Sequence, residues 1–320
     1  MTSHRPPATE GLPYHLILLG GRPGWWRPVI GILILGIGTY VIAPAVWLIP
    51  FAAWLIIDGQ DIGTSLEGLV DFADPSPLSL AYLLLTLASA IPVAWFTIRV
   101  MHGLRPRWLA SVSPRLRWRF LLACFGVSLV ALVLSLVLSA LLPGQAEGQD
   151  ISGSPNPWTD TVRDFVLVIA LLTPLQAAGE EYAFRGYLTQ AFGGLFRSRV
   201  AAVVGSSLLF AIAHGAGQSF PIFFDRFAFG LVAGTLVILT GGLEAGIAFH
   251  VLNNWLAFGL AVAFFDLGSA LNPTGGSWWD VPVTIIKSLV YLGLALLVAR
   301  RMGLATTTQP IVLEAPERRV

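Results

Sequence analysis

Three short clusters of ionisable and amide residues interrupt otherwise apolar sequence in the second half of this chain. In Gly179-Glu180-Glu181-Tyr182-Ala183-Phe184-Arg185, Glu181 and Arg185 are four apart and share a helix face, while Glu180 projects about 100° away from Glu181. The guanidinium can therefore hold one glutamate while the other faces a cavity. In Phe210-Ala211-Ile212-Ala213-His214 an aromatic ring precedes a histidine by one turn, and in His250-Val251-Leu252-Asn253-Asn254 a histidine and an amide share a stripe. Taken singly, each cluster has an ordinary reading: end charges neutralised by Arg185, a core histidine bonded to a carbonyl, an asparagine gluing two helices. Together they carry more weight, because each such group adds a desolvation cost without apolar packing in return.

Hydrolysis of a peptide bond inside a membrane needs a water, a general base to deprotonate it and donors for the tetrahedral oxyanion. A glutamate, two histidines and an asparagine supply all three. Glu180, His214 and His250 equally make the ligand set of a catalytic zinc with one open position, and residue types alone leave both schemes open. The His-Glu-x-x-His zinc motif is absent, since Gly215 follows His214 and Val251 follows His250. Ser206 and Ser207 after Gly205 do not form a nucleophile elbow. An aspartate dyad lacks its second member, Asp225 being the single intramembrane candidate. Glu244 and Lys287, near the ends of apolar runs, are expected to snorkel, and the adjacent Asp225 and Arg226 to be locally solvated or paired with another helix.

The ordered set Glu180-Glu181-x-x-x-Arg185, Phe210-x-x-x-His214 and His250-x-x-x-Asn254 resembles the CPBP family, the CAAX-protease and bacteriocin-processing (Abi) group that includes the type II CAAX prenyl endopeptidases. The resemblance covers about Asp164 to Phe265. It implies an all-helical intramembrane endopeptidase with a conical cavity, acting on a membrane-embedded or lipidated peptide or protein. Glu180 would activate water with help from His214, His250 and Asn254 would form the oxyanion side or complete a metal site, and Glu181 with Arg185 would support them. The family is described both as zinc-dependent and as a metal-independent glutamate type. A non-proteolytic scaffold or bacteriocin-immunity-type protein on the same fold is the alternative, and a small transporter with a pathway open to both sides a further one.

The elements that must position these residues follow from composition. Of 320 residues, 55% are apolar and 12% are Asp, Glu, Lys or Arg, half the share of a soluble domain, and mean hydropathy is +0.75. The chain is expected to be an all-α integral membrane bundle of about eight spans: Val29 to Ile57, Leu78 to Ile98, Phe120 to Leu142, Asp164 to Ala178, Val200 to Ala213, Phe220 to Thr240, Leu243 to Phe265 and Val281 to Ala299. Domain division is 1–24 as an N-terminal arm, 25–163 as spans one to three, 164–265 as the protease core, 266–302 as the last span and 303–320 as a tail, with both polar tails loosely ordered.

Arginine crowds alternate connections. Arg99, Arg105, Arg107, Arg115, Arg117 and Arg119 occupy one, whereas Asp58, Asp61, Glu67, Asp71 and Asp74 occupy the preceding one without any basic residue. The Arg-rich side is therefore read as cytoplasmic, with both termini there; the family resemblance adds the expectation of a prokaryotic cell membrane. Trp25, Trp26, Trp158, Trp278 and Trp279 sit at span ends as interfacial anchors. A net charge of +1 and a single lysine speak against a nucleic-acid partner, and the lone Cys124 against an intrachain disulfide. Gly230 with Gly234, and Gly242 with Gly246, are expected to be packing grooves. On this span count Glu180 lies at the cytoplasmic end of span four but His214 toward the outer end of span five. Their meeting requires either a longer motif helix or an interfacial helix over 186–199.

Overall fold

The computed structural model describes residues 11–141, 154–214, 219–265, 267–271 and 276–309. Long apolar runs form ten helices among the described residues: α1 (Trp26–Ile57), α2 (Ile62–Val70), α3 (Pro77–His102), α4 (Trp118–Leu141), α5 (Asp160–Phe196), α6 (Arg199–Ala213), α7 (Phe220–Thr240), α8 (Glu244–Phe264), α9 (Leu267–Leu271) and α10 (Asp280–Arg301). Seven are long and apolar enough to cross a membrane, and α6, with 15 residues, is a shorter apolar helix. At 1.5 Å per residue α6 reaches about 22 Å, short of a hydrocarbon core of about 30 Å. Large apolar side chains such as Leu33, Ile49, Leu122, Leu171 and Leu289 remain exposed on the bundle's rim, as lipid-facing surface requires.

Helix starts are specified locally. The Asp61 carboxylate accepts from Thr64 N–H, Ser76 and Ser79 make a reciprocal capping box, Thr159 accepts from Val162 and Ser198 from Ala201. Sharp ends use left-handed backbone: Arg197 at φ 50° closes α5, and Gly241 at φ 71° closes α7.

One end of the bundle collects the Arg-rich connections. There Ser111 pairs with Gly242 in a strand-like bridge, flanked by Val112 N–H donating to Gly241 O and Leu243 N–H donating to Ala110 O. The polar arms, expected to be loose, are instead packed where described. Tyr14 and Ile17 are fully buried, Tyr14 Oη donates to Leu109 O at 2.5 Å, and Pro13 bridges Thr307. Burial of apolar side chains in the arm offsets the chain entropy that its polar neighbours would otherwise favour. Arg5, Arg318, Arg319, the 143–153 part of the outer loop and residues 266 and 272–275 of the 266–280 loop lie outside the described residues.

The largest departure from the sequence reading is α5. It does not stop near Ala178 but continues to Phe196 as one 37-residue helix, about 55 Å long. Its last turns pack on the Tyr14–Gly20 turn, with Gly193 against the backbone carbonyl of His15. The apolar count ended at Ala178 because the polar motif begins there. The buried polar groups there meet one another and His250 of α8 rather than lipid, so the helix runs on. The chain then reverses at Arg197, and Glu180 and His214 each lie 17 residues from that reversal, on antiparallel helices. Equal rise brings them to one depth, which resolves the mismatch in the span count.

Candidate active site

Within α5 the winding loosens to i→i+5 over Glu181–Leu188, immediately after Glu180. Such π-type turns are rare and concentrate at functional sites. Every residue of this stretch is buried, including Arg185 at 1% exposure.

Glu181 and Arg185 pair as expected, Arg185 Nη1 standing 3.1 Å from Glu181 Oε1. The same oxygen lies 3.0 Å from His250 Nδ1, and His250 Nε2 stands 3.3 Å from Glu180 Oε2. One imidazole from α8 thus bridges two consecutive carboxylates of α5. Room for Glu181 comes from Gly246, one turn before His250, where a Cβ would collide with Glu181 Oε2. The expectation for Gly242 and Gly246 as a helix-packing groove is corrected here, because the space at Gly246 is filled by a carboxylate. Gly230 and Gly234 do serve as a groove, admitting Ser207 and Val203 of α6 against α7.

Phe210 organises the second motif. Arg185 lies over its ring at 4.0 Å and over the Phe229 ring at 5.5 Å, so the buried guanidinium is held by π faces as well as by Glu181. The Phe210 ring also meets the His214 ring at 4.4 Å and the His250 ring at 6.1 Å. His214 Nδ1 donates to Phe210 O at 2.8 Å, which makes Nε2 the lone-pair nitrogen of the neutral ring. Asn254 donates from Nδ2 to Gln176 Oε1 at 3.0 Å, fixing its amide.

A cavity of about 490 Å³ joins these groups. Glu180, His214, His250 and Asn254 line it, while Glu181 and Arg185 stand behind its wall. A second, nearly apolar cavity of about 240 Å³ abuts Glu180 from the side of α1 and α6.

The structure adds residues that sequence reasoning missed. These are Gln176, Tyr40 and Phe229, which line the cavity; Asp225, Arg226 and Lys287, read from the sequence as peripheral charges, line it too. Gln176 carried a signal, being an amide one turn before Glu180 in apolar sequence; Tyr40 and Phe229 carried none. Lys287 does not snorkel: its Nζ donates to Asn253 Oδ1 at 2.9 Å inside the cavity wall. Asp225 and Arg226 pair with each other at 3.5 Å. Glu244 is also no snorkelling end charge, for it is fully buried against Arg117 at 2.7 Å.

Among the described residues no group of three or more His, Cys, Asp or Glu side chains is placed to hold a metal ion. The reason is visible at His250, whose two ring nitrogens are both turned to carboxylates. Glu180, His214 and His250 therefore do not assemble a three-donor zinc set in this arrangement.

Residues 162–256 match a family model described as type II CAAX prenyl endopeptidase Rce1-like, and this segment contains all three motifs. A curated relative, the uncharacterized protein YyaK of Bacillus subtilis (strain 168), is 24% identical over 288 residues, spanning 86% of this chain and 93% of that protein. No solved structure matches the chain.

Proposed function

We propose that this chain, Rce1-like over residues 162–256, is an intramembrane endopeptidase in which Glu180 activates water. The family match supports CAAX-type protease activity in general, and the geometry supports the residue roles. The observation that carries them is the division of the two glutamates. Glu181 is held behind the wall by Arg185 and His250, and Glu180 alone of the pair lines the cavity with His214 and Asn254.

In the proposed reaction a cavity water loses a proton to Glu180 as its oxygen attacks the scissile carbonyl carbon. The Nε2 lone pair of His214 accepts from the same water and helps to orient it, and the oxyanion is met by the second Nδ2 hydrogen of Asn254, the first being committed to Gln176. Glu180 then returns the proton to the amide nitrogen, the C–N bond breaks, and a carboxylate and an amine leave. His250, with both nitrogens committed, acts as a positioning residue for Glu180 rather than as an oxyanion donor. The apolar side cavity at Glu180 suits an aliphatic or lipid-modified part of the substrate. The Arg-rich end is assigned to the cytoplasm by the positive-inside rule.

The test is purified protein in vesicles with two fluorogenic probes, a prenylated peptide ending in a CAAX box and an unlipidated transmembrane peptide. Cleavage of either that disappears in Glu180→Gln while thermal unfolding is unchanged supports the proposal. Wild-type turnover in that variant overturns it. Activity lost on chelation and restored by zinc would replace the glutamate scheme with a metal one.

A further inference from the structure

The cavity lies in a bundle whose two ends differ in charge, and it reaches only one of them. Its inner end is Glu180 and His250, the latter six residues, about 9 Å, from the start of α8 at the Arg-rich face. From there its wall runs up α8 through Asn254, Ala257 and Phe258, away from that face. It finishes at Val70 and Phe72, between α2 and α3, and at Ala270 and Leu271 of α9. No lining residue belongs to the connections at 103–117, 197–198, 241–243 or 302–309.

The rim where the wall finishes is acid-rich. Asp58, Asp61, Glu67, Asp71 and Asp74 are all exposed there, and residues 28 to 98 contain no basic side chain. Arg163, at the same end, is neutralised by Asp160 at 2.8 Å and Asp164 at 2.9 Å. The opposite end carries Arg99, Arg105, Arg107, Arg115, Arg119, Arg197, Arg199, Arg300 and Arg301, and the buried carboxylate there, Glu244, is consumed by Arg117. Arginine retention in short cytoplasmic connections sets orientation, so the acid-rich end is extracytoplasmic.

We infer that the catalytic cavity opens on the extracytoplasmic face, so that its substrate is an exported or outer-leaflet peptide segment rather than a cytoplasmic one. The word substrate rests on the proposed hydrolysis; the side of opening does not, and it is tested without cleavage.

The experiment places single cysteines in a Cys124→Ser background, in the full-length protein in intact cells, and reads labelling by a membrane-impermeant maleimide. Gly68→Cys sits on exposed α2, where an added Cβ meets nothing within 4 Å; Ala257→Cys lines the cavity; Arg105→Cys marks the opposite face. Gly68→Cys and Ala257→Cys are expected to label at least tenfold faster than Arg105→Cys, which labels only after permeabilisation. Labelling of Arg105→Cys in intact cells, or of Ala257→Cys only after permeabilisation, overturns the inference. Ala270→Cys reads the same cavity if Ala257→Cys fails to accumulate. A correct opening with no cleavage by wild-type protein would sink the protease reading alone.

Discussion

Among the described residues two buried arginine–glutamate pairs lie in this bundle, and their surroundings differ. At the Arg-rich end Glu244 is satisfied on both oxygens: Oε1 accepts from Arg117 N–H and Nε, both at 2.8 Å, and Oε2 from Nη2 at 2.7 Å. Arg117 Nη1 goes on to the Thr240 carbonyl. The pair pins the α4 entry to the α7–α8 turn. Glu181 and Arg185 are as deeply buried, yet Glu181 Oε2 and both terminal nitrogens of Arg185 make no hydrogen bond, and the pair shares an imidazole with a second carboxylate. A satisfied network rigidifies, whereas incompletely satisfied polar groups in a buried place ask for a functional explanation. Identical residue types are thus fully satisfied at one depth and left partly unsatisfied behind the cavity wall at another.

That contrast is sharpest in two substitutions. Glu180→Gln should lower cleavage by about 10²- to 10⁴-fold, the usual range for a general base, with unchanged thermal unfolding in detergent. Arg117→Ala should do the reverse, costing about 3–5 kcal/mol of stability by stranding Glu244, visible as a lowered Tm. A large stability loss in the first, or none in the second, would erase the distinction. Gly246→Ala tests the link between them by crowding Glu181; a cost of about 1–3 kcal/mol, with a fall in kcat, is expected. A kcat equal to wild type would show that Glu181 need not hold its place.

Gln176→Leu should be milder, weakening kcat by about tenfold or less, as loss of one hydrogen bond of about 1 kcal/mol implies. The smallest effect is expected at the edge of the pinned end. Burial and the Arg199 charge hold the His15 imidazole down at about 4. The native ring is therefore neutral where the unfolded one, at about 6.5, takes up a proton. The unfolded state binds more protons in that window, so stability is complete above pH 6.5 and falls as pH drops toward 4. A Tm profile over that range should slope downward with acid in the wild type and flatten in His15→Leu; parallel profiles would refute the assignment.

The motif residues were legible because ionisable groups are conspicuous in an apolar chain. Glu181 with Arg185 and the Phe210–His214 stripe needed only helical spacing to be paired. The partners of Glu244, Lys287 and Asn254 were not legible, since each comes from a helix distant in sequence: Arg117, Asn253 and Gln176. The end of α5 was misread for a related cause. Hydropathy counts polar residues as if they met lipid, but here they meet one another.

What the sequence by itself determined is the membrane class, the helix starts set by their caps, the uneven distribution of arginine between the two ends, and the short roster of groups able to do chemistry. These depend on composition and on neighbours within a turn or two. Tertiary structure alone decided that Glu180 rather than Glu181 lines the cavity, that His250 spends both nitrogens on carboxylates, and that the cavity runs toward the acid-rich end. Those outcomes depend on which helices pack side by side, where a glycine leaves room for a carboxylate and a 37-residue helix carries its motif to the depth of a histidine on the next one.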